Sequence, residues 1–165
     1  PRDVALSFAH HLGVSPERAV TLMATDNAHT EASATMMPDA IGSWSQHVES
    51  WTGNPSPGLH VVRYEDMLRD TRKTFAGVIG FLGLDLPPAR LGAALRNSSF
   101  KILAQQEKQR GFRERSGHTD RFFRKGVAGA WRADLEPSLA RAIEQRHRVQ
   151  MQRFGYLRND ETAVA

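Results

Sequence analysis

Cysteine is absent from this chain of 165 residues. Disulfide scaffolds, thiolate metal sites and a cysteine nucleophile are therefore excluded. No apolar run approaches the ~18 residues that a membrane span needs, and no signal peptide is visible. Like charges nowhere form a run of about five, which argues against a tail that binds nucleic acid. We therefore predict a soluble, cytoplasmic protein that has neither a membrane nor a nucleic acid as its partner.

The composition shows a modest excess of basic over acidic residues. Lys and Arg together number 22 against 18 for Asp and Glu, which gives a formal net charge of +4. This balance favours an anionic partner, but composition alone does not choose between a nucleotide, a nucleic acid and a membrane surface. With 40% hydrophobic residues, the chain is long enough for one domain with its own core.

Hydrophobic periodicity predicts a mostly helical chain with one buried strand. The predicted helices span residues 3–11, 19–25, 41–51, 72–82, 89–96, 100–108 and 137–154, and the predicted strand spans residues 59–64. Residues 109–120 are polar and aperiodic, so we predict a mobile loop there. A lone strand between helices is typical of a parallel sheet, and the pattern predicts the back half of an α/β domain. We take residues 1–157 as part of a single domain and residues 158–165 as a tail.

Three local signals predict where helices begin or end. Ser15 followed by Pro16 places a capping side chain and a first-turn proline in the right order. Asp3 stands where it would cap the first helix. Gly83 follows an apolar helical stripe, at the position where a glycine ends a helix.

Aromatic side chains at helical spacing are usually core residues, and we predict packing roles for Trp44, Trp51 and Trp131. His147 lies on the apolar stripe of the last predicted helix, so we expect a packed structural residue there. The adjacent histidine pair near the start of the chain points to different helix faces. We therefore predict no metal site.

The stretch from residue 122 to 131 carries the most informative chemistry. Two adjacent cations, Arg124 and Lys125, stand directly before Gly126, and aromatics close the stretch on both sides. Arg124 offers a planar fork of donors that fits phosphate oxygens in pairs, while Lys125 adds a compact charge. Gly126 lacks a Cβ, so its N–H can come close to an anion. The stretch is either a seat for a phosphate carried on an aromatic ring system or a solvated polar turn.

Six short segments follow one another in a recognisable order. They are Pro1-Arg-Asp-Val-Ala-Leu-Ser7, Gly42-Ser-Trp-Ser-Gln-His-Val48, Arg63-Tyr-Glu-Asp-Met67, Phe81-Leu-Gly83, Ser98-Ser-Phe100 and Phe123-Arg-Lys-Gly-Val-Ala-Gly-Ala-Trp131. Each segment alone is weakly specific. Together and in this order they resemble the cytosolic-type sulfotransferase family, over residues 1–156.

Members of that family transfer a sulfuryl group from 3′-phosphoadenosine 5′-phosphosulfate (PAPS) to a hydroxyl or amine and leave adenosine 3′,5′-bisphosphate (PAP). The resemblance therefore implies a PAPS-dependent sulfotransferase with a small-molecule acceptor. It also implies an α/β fold of the P-loop NTPase type, with three layers and a central parallel sheet. This chain would be the mostly helical C-terminal part of that fold.

The resemblance assigns four residues to the 3′-phosphate of the donor. Ser7 matches the family's serine that bonds this phosphate, and we expect its hydroxyl in the first turn of a helix. Arg124, Lys125 and Gly126 match the residues that clamp the same phosphate. Without the resemblance, Ser7 would equally be a solvent-facing residue of a helix.

Three more residues are assigned to the adenine side. Tyr64 matches a tyrosine at the end of a strand that contacts the adenine, and Phe100 matches the aromatic that stacks on the base. Ser98 keeps the hydroxyl of a threonine that is common at its position. Taken alone, Tyr64 would fit the core and Phe100 would fit a helix end.

The catalytic residues have no match in the chain. The resemblance implies that the catalytic base and the P-loop lysine lie before Pro1, so we expect the chain to be inactive by itself. Residues 132–137 do not match the dimerisation motif of vertebrate members, so we do not predict that mode of dimer.

Two other functions stay open. A non-catalytic module that binds an anion or a polyanion would use the same basic loop. A different P-loop-type transferase would show a kinase-like loop and a magnesium-binding acid upstream.

Overall fold

The computed structural model describes residues 1–29 and 37–157, and within these ranges the chain is helical. The helices are α1 (Arg2–Leu12), α2 (Pro16–Ala24), α3 (Trp44–Thr52), α4 (Tyr64–Arg69), α5 (Thr71–Phe81), α6 (Pro88–Asn97), α7 (Phe100–Arg110), α8 (Trp131–Asp134), α9 (Pro137–Arg146) and α10 (Arg148–Arg153). Each predicted helix has a counterpart in this series, although the last one is divided in two. The short helices α4 and α8 were not predicted. The predicted tail, residues 158–165, lies outside the described residues.

The predicted strand over residues 59–64 is wrong. Residues 59–63 belong to neither a helix nor a strand, and Tyr64 begins α4. A β-branched, aromatic run becomes a strand only when a neighbouring strand accepts and donates its ladder hydrogen bonds. Within the described residues, 1–29 and 37–157, the only such pairing is an isolated antiparallel bridge between His29 and Ala40. The predicted central parallel sheet is therefore not found in the described part of the chain.

The chain divides into two compact units. The first unit comprises Pro1–Pro55 with Gly129–Ala165, and the second comprises Ser56–Ala128. The first unit has a buried apolar core in which α1 packs on α2 and α8, and α2 packs on α9. The core residues are Ala5, Leu6, Val20, Met23, Leu135, Ala140, Ile143 and Met151.

Helix ends in the first unit follow local chemistry. Ser15 accepts the backbone N–H of Arg18 at 3.3 Å and Pro16 occupies the first helical position, so the predicted start signal is confirmed. In α3, Ser43 and Gln46 form a reciprocal capping box that satisfies two backbone N–H groups. Both helices thereby begin at residues that the sequence marks.

The three tryptophans differ in their burial. Trp44 and Trp131 are partly buried and pack against the core of the first unit, which confirms their predicted packing roles. Trp51 is 68% exposed, so its predicted role is wrong. Trp51 lies in the last turn of α3, which ends at Thr52, and it is not among the residues that pack against the core.

The second unit is more open and contains α4 to α7. Asp70 caps α5 by accepting the N–H of Lys73 at 2.9 Å. The helix ends at Phe81, Leu82 is its C-cap, and Gly83 follows with a φ of +65°. The predicted role of Gly83 is therefore confirmed, because this left-handed conformation favours glycine. Between residues 56 and 128 the only buried side chain is that of Glu107, whose residue is 9% exposed.

His147 divides the predicted last helix into α9 and α10. It is 1% exposed, and its Nδ1 lies 2.8 Å from the Ser45 hydroxyl oxygen. Its ring meets that of Trp44 edge to face at 5.4 Å, so the predicted packed structural role is confirmed. Burial lowers the pKa of His147 to about 4, with a further contribution from Arg146 and a partial opposing one from Asp26.

This low pKa predicts acid sensitivity. The pKa of His147 is 6.5 in the unfolded chain and about 4 in the folded chain, so the unfolded chain takes up the proton first as the pH falls. The contribution of neutral His147 to stability is therefore complete above pH 6.5 and is lost as the pH falls toward 4, by at most about 1.4 kcal/mol per pH unit. Urea unfolding at pH 7 and pH 5 should show a smaller loss of stability for His147→Gln than for the wild type. The exposed His118 provides a control, since His118→Gln should keep the wild-type pH dependence. An equal pH dependence in wild type and His147→Gln would contradict the prediction.

Candidate functional site

The basic loop contains Arg124, Lys125 and Gly126 and belongs to the second unit. Arg124 is partly buried and Lys125 is exposed. Gly126 has a φ of +64°, which is the left-handed conformation that L side chains rarely adopt. The chain therefore turns directly after the two cations.

Phe100 lies against this turn. It is the first residue of α7, and a Cβ built on Gly126 would lie 2.6 Å from its Cε2 atom. No side chain fits there, so the close approach of ring and backbone requires glycine at position 126. Phe100 is 38% exposed, so part of its ring surface stays accessible. The predicted base-stacking aromatic and the predicted phosphate loop are thus in direct contact.

An aromatic cluster supports the same region. The ring centroids of Phe100 and Phe123 lie 6.0 Å apart, and Phe112 lies 4.7 Å from Phe122 and 5.1 Å from Phe123. The predicted loop over residues 109–120 begins two residues later, because α7 continues to Arg110 and residues 111–120 belong to no helix. Its predicted mobility stays a prediction. Phe112 then ties the following residues to the aromatic pair that precedes the basic loop.

Glu107 holds the backbone just before the loop. Its Oε1 accepts the N–H of Phe122 at 2.5 Å, and its Oε2 accepts the N–H of Phe123 at 3.0 Å. Burial by itself raises the pKa of Glu107, but the two N–H donors together with Arg115 and Arg121 outweigh burial and leave the pKa lowered. The carboxylate is therefore ionised at neutral pH. Sequence reasoning missed this residue, because a glutamate on a polar helix has no distinguishing pattern.

Asp3 plays a comparable part in the first unit. Its predicted role as a helix cap is wrong, because α1 begins at Arg2 and the cap position is Pro1. Its carboxylate instead accepts the N–H of Gly129 at 2.7 Å and that of Trp131 at 2.8 Å. The Arg2 guanidinium lies 4.1 Å from the centroid of the Trp131 ring. Two adjacent residues of α1 thus fix the backbone and the ring at the start of α8.

The other predicted site residues are placed as follows. Tyr64 is 46% exposed at the start of α4, so it does not end a strand. Ser98 is exposed at the end of α6 and donates its hydroxyl to the carbonyl of Ala94 at 2.8 Å. Ser7 is exposed on α1 in the first unit. It is the sixth residue of that helix, so its predicted place in the first turn is wrong.

A cavity of about 760 Å³ lies elsewhere, between α2 and α9 of the first unit. Its wall includes Glu17, Leu139, Ile143, Arg146 and His147, and none of the predicted site residues. The Arg146 guanidinium in this wall already forms an ion pair, because one of its nitrogens lies 2.6 Å from a carboxylate oxygen of Asp26. The chemistry of the basic loop therefore identifies the candidate site better than the volume of this cavity does.

Metal and membrane features can be assessed only for residues 1–29 and 37–157. These residues contain no group of three or more His, Asp or Glu side chains that is placed to hold a metal ion. Among the helices given above, none has both the length and the apolar character required to cross a membrane.

Two adjacent cations, a left-handed glycine and a partly exposed aromatic ring make the basic loop the candidate site. Comparison with known proteins gives the family. The sulfotransferase domain family matches residues 1–155, and the chain belongs to this family.

Individual relatives are similar over part of their length. The 3-alpha-hydroxysteroid sulfotransferase of Cavia porcellus is 30% identical over 114 residues, which cover 67% of this chain and 40% of that protein. Sulfotransferase 2A1 of Macaca fascicularis is 30% identical over 63% of this chain and 38% of that protein. The chain therefore spans about 40% of the length of the curated relatives it matches.

A solved structure shares the fold. The crystal structure of mouse sulfotransferase SULT7A1 complexed with PAP matches with a TM-score of 0.67. The match covers 92% of this chain and 56% of that chain, with 22% sequence identity. At this identity the likeness concerns the fold alone.

The contact between Gly126 and Phe100 gives a testable prediction about stability. Gly126→Ala should be destabilising for two reasons, a strained φ that costs about 1–2 kcal/mol and a clash with the Phe100 ring. Gly83→Ala is a matched control, because Gly83 has a φ of +65° and no atom within 4 Å of a Cβ built there. Urea unfolding should show a larger loss for Gly126→Ala than for Gly83→Ala. Equal losses would show that the ring yields and that the contact is not restrictive.

Proposed function

We propose that the protein is a PAPS-dependent sulfotransferase and that this chain supplies the side of the donor site that holds the 3′-phosphate and the adenine. The proposal depends above all on one observation, the contact between the Phe100 ring and Gly126 directly after two cations. Membership in the sulfotransferase domain family over residues 1–155 supports it. The complex of the related mouse sulfotransferase with PAP supports the choice of nucleotide.

The basic loop suits the 3′-phosphate. A phosphate monoester carries about −1.5 to −2 charges at pH 7 and presents several acceptor oxygens. Arg124 donates in a planar fork and Lys125 as a compact charge, while the left-handed turn at Gly126 allows backbone to approach. Each charge-assisted hydrogen bond of this kind contributes about 1.5–3 kcal/mol. The assignment of Ser7 to the 3′-phosphate rests on the family resemblance alone and stays a prediction.

The exposed part of the Phe100 ring suits the adenine. Stacking of a base on an aromatic side chain is worth about 1–3 kcal/mol in nucleic-acid systems. Tyr64 and Ser98 are exposed and belong to the same unit as Phe100. We assign Tyr64 to a contact with the base, and Ser98 to a hydrogen bond through the lone pairs that its bond to Ala94 leaves unused.

The proposed reaction is an in-line transfer analogous to phosphoryl transfer. A base removes the proton from the acceptor hydroxyl or amine, and the resulting nucleophile attacks sulfur. The bond between sulfur and the oxygen of the 5′-phosphate breaks, so the products are the sulfated acceptor and PAP. The residues of this chain bind and orient the donor, and none of them is assigned as the base.

The acceptor and the complete fold are part of the same proposal. Two relatives are named for hydroxysteroids, which favours a small-molecule acceptor with a hydroxyl group. We also propose the P-loop-like α/β fold with a central parallel sheet, because the solved sulfotransferase matches 92% of this chain. The described helices would then be the helical C-terminal portion of that fold.

The phosphate clamp predicts a selective loss of affinity. In the full-length protein, Arg124→Ala and Lys125→Ala should each weaken PAP binding about 10- to 100-fold, the equivalent of one charge-assisted hydrogen bond. Binding of adenosine 5′-monophosphate, which lacks the 3′-phosphate, should change little. Calorimetric titration with both nucleotides measures the two effects.

Matched controls exist for both variants. Arg113 and Lys108 are exposed basic residues of the same unit, so Arg113→Ala and Lys108→Ala make the same change in net charge. Both should bind PAP like the wild type. Equal affinity of the wild type for PAP and for adenosine 5′-monophosphate would disprove the clamp.

A competition experiment separates the proposed function from general anion binding. A sulfotransferase donor site predicts that excess PAP displaces any heparin bound at the basic loop. Heparin binding that survives excess PAP and weakens steeply with salt would favour a polyanion-binding module instead.

A further inference from the structure

We propose that Glu107 is a positioning residue that sets the conformation of the 3′-phosphate loop through the backbone, an inference that rests on the function proposed above. Its carboxylate bonds the consecutive N–H groups of Phe122 and Phe123, and Arg124 and Lys125 follow directly. These two bonds fix the direction in which the chain enters the loop.

Burial distinguishes Glu107 from an ordinary surface glutamate. It is the only buried residue between positions 56 and 128, in a unit whose large apolar side chains are partly or fully exposed. A buried carboxylate is costly unless its oxygens accept hydrogen bonds, and here each oxygen accepts one from the backbone. The cost of burying this carboxylate is therefore offset by the two bonds that fix the segment before the loop.

The geometry of the donors explains why a carboxylate suits this position. Two successive N–H groups of an irregular segment have no helix or ladder partner and must find acceptors. A carboxylate offers two acceptor oxygens and no donor, so it satisfies both groups with one side chain. Glutamine would present one acceptor and one NH₂ group, and the NH₂ group would face a second donor.

The charge of Glu107 is compensated locally. Arg115 and Arg121 act on the carboxylate in addition to the two N–H groups. The two N–H groups and the two arginines all favour the charged form, so Glu107 accepts both backbone bonds as an anion at neutral pH.

The aromatic cluster gives the fixed backbone a second restraint. Phe122 and Phe123, whose N–H groups are bonded to Glu107, pack their rings against Phe112. Phe123 also meets Phe100, which lies against Gly126 on the far side of the two cations. Loss of the Glu107 bonds should therefore loosen the entry to the loop without removing its cations or its ring.

The test uses Glu107→Ala, the nearly isosteric Glu107→Gln and the control Glu114→Ala in the full-length protein. Glu114 is exposed in the same unit, so its replacement makes the same change in charge. Two quantities are measured, the hydrogen-exchange protection of the Phe122 and Phe123 amides and the ratio of affinities for PAP and adenosine 5′-monophosphate. We expect Glu107→Ala to lose the protection and to lower the ratio about tenfold, which corresponds to about one hydrogen bond to a charged group. Glu107→Gln should give an intermediate ratio, and Glu114→Ala should match the wild type.

Each possible result has a defined meaning. Unchanged amide protection in Glu107→Ala would overturn the proposed bonds, and lost protection with an unchanged ratio would overturn the positioning role. An equal fall in affinity for both nucleotides would indicate general destabilisation and would also overturn it. A wild type that does not prefer PAP would instead disprove the proposed function, and it would do so before any variant is compared.

Discussion

Backbone N–H groups in an irregular segment need acceptors, and this requirement governs the part of the chain on which the candidate site depends. Residues 121–130 belong to no helix or strand, so neither a helix nor a ladder supplies those acceptors. Two carboxylates supply them instead. Glu107 bonds the N–H groups of Phe122 and Phe123 in the second unit, and Asp3 bonds those of Gly129 and Trp131 in the first. The segment is thus fixed on either side of the two cations by side chains that are distant in sequence.

A carboxylate close to a basic loop repels an approaching anion unless nearby donors or cations stabilise its negative charge. The carboxylate of Glu107 faces two N–H dipoles and is influenced by Arg115 and Arg121, which together keep its pKa low despite burial. Arg2, next to Asp3, stacks over the ring of Trp131. Both acidic side chains therefore act as structural acceptors for backbone N–H groups.

Local chemistry made part of this structure predictable. Ser15 with Pro16 marks the start of α2, and Gly83 marks the end of α5, because caps and left-handed turns depend on residues close in sequence. The strand over residues 59–64 was not predictable in this way, since a strand exists only through partners that local sequence does not specify. The break of the last helix at His147 belongs to the same class, because burial against Trp44 and Ser45 is a tertiary effect.

The residues of the candidate site likewise differ in whether local sequence could predict them. Arg124, Lys125 and Gly126 were predicted from the residues themselves, because charge and glycine are visible there, whereas Phe100 was assigned through the family resemblance. Glu107 and Asp3 were missed as acceptors, because their partners lie 15 or more positions away and no local pattern records such bonds. Asp3 was even assigned to the wrong helix-capping role, since an acidic residue near a helix start usually serves its own helix.

The contact between Phe100 and Gly126 bears on selectivity. A flexible loop with two cations would bind many anions, because charge attraction alone does not depend on the shape of the ligand. Here the ring rests on the turn that follows the cations, so the ring and the basic loop are held close together. In a 3′-phosphorylated nucleotide the base and the phosphate are likewise joined through one ribose at a limited separation. A rigid spacing in the protein that matches a rigid spacing in the ligand lowers the entropy lost on binding. The close approach that only glycine permits is therefore the feature by which this basic loop would favour one nucleotide over other anions.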